Sequence, residues 1–174
     1  QQLLTPKEGW VTKTLQEIGI ISGGGVDKKI IDNEIPVRLV NYTDVYKRQF
    51  IYSNELNHWV TATINKYNNC QVMQGDIYFT PSSETREGIA LAAVAMEQIE
   101  DAAYSYHLVR FRLNIEWDLK FKGYIFNTRK FLQQAETFCE GSGKRYVLTL
   151  PKFRRLNISF PESIKEQSRI SNIL

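Results

Sequence analysis

Leu156-Asn157-Ile158-Ser159-Phe160-Pro161-Glu162-Ser163-Ile164-Lys165-Glu166-Gln167 changes character at its centre, and that change decides the fold class. The first five residues read as an extended strand with apolar side chains at alternate positions. Pro161 has the fixed φ and missing N–H that suit the first helical position, and Glu162 and Glu166 favour a helix N-terminus. A helix is therefore predicted over 162–174, running to the end of the chain. A strand that feeds directly into a helix belongs to a mixed α/β fold.

Working outward, Pro151 separates this strand from a second extended piece, 146–150. Before it, Gly141-Ser142-Gly143 closes a helix predicted over 121–139, with Phe121, Tyr124, Ile125, Thr128, Leu132, Ala135 and Phe138 on one face. Strands are predicted over 35–40, 77–80 after a Gly75-Asp76 turn, 89–96 and 104–113. The alanines of 89–96 leave a helical alternative open. Between these strands lie the polar loop Pro81–Gly88 and the Ser22-Gly23-Gly24-Gly25 connection. Residues 41–69 read as loop, short helix and short strand, and 1–4 as the end of a helix broken by Pro6 and Gly9. The expected architecture is α/β (α+β): a mixed, strongly twisted sheet with a few helices and long loops.

The chain has 174 residues, 43% hydrophobic and 24% charged, enough for one core and short for two full domains. No apolar run approaches the ~18 residues of a membrane span, and no signal-peptide pattern opens the chain. Cys70 and Cys139 have neither CxxC nor Cys/His spacing, so a reducing cytoplasm is expected and no zinc module. The start at Gln1 rather than Met suggests a fragment or processed chain. Charge is uneven: residues 105–160 hold eleven Lys/Arg against four acids, while the remainder holds eleven against fifteen. Such asymmetry can build one basic face for a phosphate-bearing partner, or merely a solvated basic surface.

Catalytic motifs fail on inspection. Gly141-Ser142-Gly143-Lys144-Arg145 lacks the first glycine and the Ser/Thr of a phosphate-loop ATPase. Asp118-Leu119-Lys120 after Glu116 resembles half of a metal-dependent nuclease site, with Asp76 and Asp101 as candidate further acids; a charged turn is the simpler explanation. His58 and His107 have no ligand spacing, and no nucleophile elbow or methyltransferase box occurs. No catalytic residue, metal or cofactor is expected. Three polar clusters instead carry groups that contact phosphates and base edges. They are Arg38, Asn41, Lys47 and Arg48, with Tyr42 and Thr43; then Ser82, Ser83, Thr85 and Arg86; then Lys144, Arg145 and Tyr146.

Taken in order, several segments resemble the target-recognition domain of a type I restriction-modification specificity subunit. They are Trp10 with Leu15-Gln16-Glu17-Ile18-Gly19, Ile21-Ser22-Gly23-Gly24, Ile35-Pro36-Val37 with Asp44, and Gly75-Asp76-Ile77-Tyr78-Phe79 before a Ser/Thr loop. The closing block, Leu156 to Pro161 with Glu166-Gln167, Ile170 and Ile173-Leu174, is the most specific. Gln1-Gln2-Leu3-Leu4-Thr5 looks like the end of the family's central spacer helix. The resemblance implies residues 1–8 as spacer end and linker, 9–160 as the recognition domain (the second of two), and 161–174 as the start of a distal spacer helix. It further implies a non-catalytic reader of one half of a split double-stranded DNA target. Its partners would be methyltransferase (modification) subunits and a motor-nuclease (restriction) subunit, with no membrane and a monomeric or weakly associating fragment. Three alternatives stay open: a metal-dependent nuclease using Glu116, Asp118 and Lys120, the recognition domain of a fused restriction-methylation enzyme, and a protein-interaction module.

Overall fold

The computed structural model of the chain describes residues 2–174. Its centre follows from two runs that have no exposed side at all. A strand apolar at every position needs a dry layer on both faces. Ile77–Phe79 (β7) and Ala92–Ala95 (β9) are buried at each residue. They form the middle of a five-stranded sheet ordered β2 (Gly19–Ser22), β11 (Val109–Leu113), β7, β9, β4 (Phe50–Ile51). Only the β9–β4 pair is parallel.

Ile77, Phe79, Ala92 and Val94 face a cluster built with the helices, whereas Tyr78, Ala93 and Ala95 face a second cluster. The second layer is a four-stranded sheet, β5 (Trp59–Ala62), β3 (Ile35–Val40), β10 (Ile99–Tyr104), β6 (Gln71–Val72), with β3 and β10 parallel. The helical layer comprises α4 (Leu119–Ile125), α5 (Arg129–Phe138), α6 (Leu150–Arg154) and α7 (Ile164–Ser171). Phe79 sits where these meet, with Phe111, Phe126, Phe131 and Phe153 rings 5.4–6.3 Å away. Three short helices lie elsewhere: α1 (Leu15–Ile18), α2 (Tyr42–Lys47) and α3 (Ile64–Cys70).

The two ends of the fold are joined. β1 (Val11–Thr14) pairs antiparallel with β14 (Asn157–Phe160), placing Val11 opposite Phe160. Trp10 Nε1 donates to Glu166 Oε1 at 3.0 Å. Gln167 is fully buried; its Oε1 accepts from Asp118 N at 2.9 Å and its Nε2 donates to Pro161 O at 2.9 Å. The Glu166-Gln167 pair thus fastens α7 to the body of the domain.

The mixed α/β class is as expected, with the strands divided among four sheets. Several element boundaries are corrected. The helix predicted over 121–139 is two helices, broken at Phe126–Thr128 because the Asn127 side chain bonds Ala92 N, Ala92 O and Gly123 O at 2.8–3.0 Å. The strand predicted over 104–113 is the end of β10 and the whole of β11, separated by a turn in which Leu108 N donates to Ser105 O. Residues 146–150 do not form one strand: Pro151 sits in the first turn of α6, which begins at Leu150. Pro161 lies outside α7, whose cap is Ser163, and α7 stops at Ser171 instead of continuing to Leu174. Where the end of a helix was expected over 1–4, Gln2–Leu4 form a 3-10 turn, and Gln1 lies outside the described residues.

Candidate nucleic-acid interface

Gly141-Ser142-Gly143, expected to close the preceding helix, lies with Lys144 in a hairpin. β12 (Glu140–Ser142) and β13 (Arg145–Val147) pair antiparallel, and the turn is made by Gly143 at φ +67°, a left-handed value that glycine adopts without strain. β13 then pairs with β8 (Ser82–Ser83), Tyr146 opposite Ser83 and Val147 opposite Ser82. Two of the three clusters singled out in the sequence, 63 residues apart between Ser83 and Tyr146, are therefore cross-strand neighbours.

The third cluster divides. Asn41 precedes α2, its N–H donating to Asp44 Oδ2 at 2.8 Å, and Tyr42 on that helix donates its hydroxyl to Ser82 O at 2.9 Å. Burial pushes the Tyr42 hydroxyl above its ordinary pKa, which keeps it a donor. Tyr46 stacks on Tyr42, with centroids 5.8 Å apart, and is half-exposed beside the Ser/Thr loop. Tyr46 was not singled out in the sequence; its spacing of four from Tyr42 within a capped helix is the signal that could have found it. Lys47, at the C-terminal end of the same helix, is exposed.

Two arginines are engaged elsewhere. Arg38 donates Nε to Asp101 Oδ2 at 2.9 Å, Nη1 to Ser53 O at 2.7 Å and Nη2 to Ser53 Oγ at 2.8 Å, so its fork is filled inside the fold. Arg48 pairs with Asp44 at 2.6 Å and with Glu55 at 3.6 Å. Arg86 does not extend freely from its loop. Its Nη1 donates to Glu136 O at 2.9 Å, at the end of α5 where helix carbonyls lack intrahelical partners, and its guanidinium lies 4.8 Å from the Tyr146 ring centroid.

The basic surplus of 105–160 sorts in the same way. Arg112 forms a two-bond pair with the buried carboxylate of Asp76, 2.6 and 2.8 Å, which raises the Arg112 pKa further. Lys122 is buried on Gly75 O, and burial lowers its pKa against the raising fields of Asp76, Asp118 and Glu116. Arg129 pairs with Glu136, and Lys152 pairs with Glu140 while donating to Phe138 O, clamping the base of the hairpin. Lys144, Arg145, Arg154 and Arg155 are exposed and form no ion pair among the described residues. The candidate interface is thus a hydroxyl-bearing loop beside a cationic hairpin, bordered by a tyrosine stack.

Two carboxylates of the nuclease alternative are occupied structurally, while Glu116 is exposed. Asp118 caps α4, accepting from Phe121 N and Ser171 Oγ at 2.8 Å each, and Asp76 holds Arg112. No group of three or more His, Cys, Asp or Glu side chains suited to a metal occurs among the described residues. No helix among them is long and apolar enough to cross a membrane.

The family model described as "Type I restriction modification DNA specificity domain" matches residues 7–174. The chain belongs to that family. A search of curated protein sequences finds no match. Among solved structures, the specificity domain is similar to the S subunit of a type I restriction-modification system from M. genitalium, at 14% identity and a TM-score of 0.57, covering 97% of this chain and 38% of that one. It is similar also to an HsdS subunit from Thermoanaerobacter tengcongensis, at 12% identity and a TM-score of 0.57, with 95% and 36% covered. A chain from a structure concerned with complex assembly and conformational transition of the type I R-M system gives 14% identity and a TM-score of 0.61, with 96% and 37% covered. These likenesses establish the fold, and the specificity domain spans less than two fifths of the length of each.

Proposed function

We propose that this specificity domain binds double-stranded DNA and reads one half of a split target for a type I restriction-modification complex. The observation that carries the reading is the β8–β13 pairing, which sets Ser82, Ser83 and Thr85 beside Lys144, Arg145 and Tyr146 on one surface. Hydroxyls and tyrosines suit base edges and sugar-phosphate contacts; unpaired cations at a hairpin tip suit phosphates. The domain would supply recognition only, with chemistry from methyltransferase and motor-nuclease subunits in the cytoplasm. The β1–β14 pairing brings the two flanking segments side by side, which supports residues 1–8 and 161–174 as the junctions to two spacer helices of a two-domain subunit. That this domain is the second rests on the resemblance of Gln1–Thr5 to the end of a central spacer helix.

Lys144→Ala with Arg145→Ala tests the surface. Removing two phosphate contacts should flatten the slope of log Kobs against log salt by about 1.8, at about 0.9 per contact, and weaken cognate and mismatched duplexes by the same factor. An unchanged slope would remove the hairpin from the interface.

A further inference from the structure

The glycine connection after β2 plays no part in the surface above, yet it is held firmly. Gly25 packs on the Ser105 backbone so closely that a Cβ would strike the Ser105 carbonyl. Tyr104 donates its hydroxyl to Gly23 O at 3.1 Å, and Lys66 Nζ donates to Gly24 O at 2.6 Å. Arg110 of β11 lies 5.3 Å from the Tyr104 ring centroid and donates Nη1 to Asn69 O at 3.0 Å. Between them is an open cleft of about 360 Å³, lined by Ser22, Gly23, Gly24, Lys66, Asn69 and Arg110 together with Cys70 and Tyr104.

Two cations line this cleft and no carboxylate does. Neither forms an ion pair among the described residues. The Nε–H of Arg110 is buried with no partner, a costly state for a donor on a charged group. An ammonium and a guanidinium lining one cleft with a serine hydroxyl and an amide are the donor types that suit a tetrahedral anion.

We propose that this cleft binds a phosphate group. Resting on the DNA reading, the source is a backbone phosphate of the bound duplex, because Gly23 packs against Leu150 at the start of α6, and α6 connects directly to the cationic hairpin. Lys66 and Arg110 then extend the phosphate track from the hairpin to the end of β2. Inorganic phosphate shares the chemistry and is separated from the duplex by experiment.

Lys66→Gln is the test, with Lys165→Gln on α7 as the control for loss of one exposed charge. Duplex titrations at several salt concentrations should show the salt slope flattened by about 0.9 in Lys66→Gln and unchanged in Lys165→Gln. In parallel, amide resonances of Gly23, Gly24 and Gly25 are followed during titration with inorganic phosphate against chloride at matched ionic strength. Saturable shifts that Lys66→Gln abolishes, with an unaltered duplex slope, would support the cleft with free phosphate as its ligand. An unaltered slope together with no saturable shift overturns the proposal. Should the wild-type chain bind no duplex at all, the DNA reading fails and the phosphate titration still decides the cleft.

Discussion

Tyr104 lies buried between the two main sheets, its hydroxyl on Gly23 O and its ring 5.5 Å from Tyr78. Burial, the largest cause, pushes its pKa to about 12 and that of Tyr78 well above 10. A phenol whose folded pKa is raised stabilises fully below its ordinary value of 10 and loses that contribution as pH rises to the folded value. The domain should therefore lose about 2–3 kcal/mol through Tyr104 between pH 10 and 12, and Tyr104→Phe should show a shallower decline in urea midpoint across that range. Lys122 acts the other way: burial lowers its pKa, so stability rises with pH through the window below 10.5. Arg86, one of the cluster expected to contact phosphates and base edges, turns back onto the fold. Its contacts to α5 and Tyr146 hold the hairpin against the helix. Arg86→Ala should cost about 1–2 kcal/mol of stability and lower affinity for all duplexes by one factor, leaving the cognate-to-mismatch ratio unchanged. A changed ratio would assign Arg86 to base reading instead.

At the scale of elements, α7 is fastened to the body of the domain by Gln167 as well as by the buried Ile170. Gln167→Ala leaves Asp118 N and Pro161 O buried without partners and should lower stability by about 2–3 kcal/mol, read as a shifted urea midpoint with unchanged m-value. Glutamate there would keep the acceptor for Asp118 N and lose the donor to Pro161 O. The strand and helix of the closing block were legible because each has its own local signature: alternation over Asn157–Phe160, then apolar spacing and acids at the helix start. The 121–139 helix was misread for a reason that no local pattern contains, since Asn127 breaks it by bonding Ala92, 35 residues away. The same applies to the hairpin. Its turn glycines were visible, but the β8–β13 pairing is a long-range contact that couples Ser83 to Tyr146. Arg38 and Arg48 were chosen by residue type, and only their carboxylate partners Asp101, Asp44 and Glu55 show them to be engaged within the fold.

For the whole molecule, charge is divided between an interior use and an exterior one. Arg38 and Arg112 pair with carboxylates within the fold and Lys122 is buried on Gly75 O, while Lys144 and Arg145 of the hairpin and Arg154 and Arg155 at the end of α6 remain exposed. A domain organised in this way should bind duplexes with strong salt dependence and read a short stretch of bases from its hydroxyl-bearing loop. The measurement that addresses this most directly is selection from duplexes with a randomised segment, followed by sequencing of the bound fraction. One short contiguous consensus should be enriched by the wild-type chain, and the same consensus should emerge, from weaker binding, with Lys144→Ala and Arg145→Ala combined. A bound fraction indistinguishable from the input pool would contradict sequence reading by this domain.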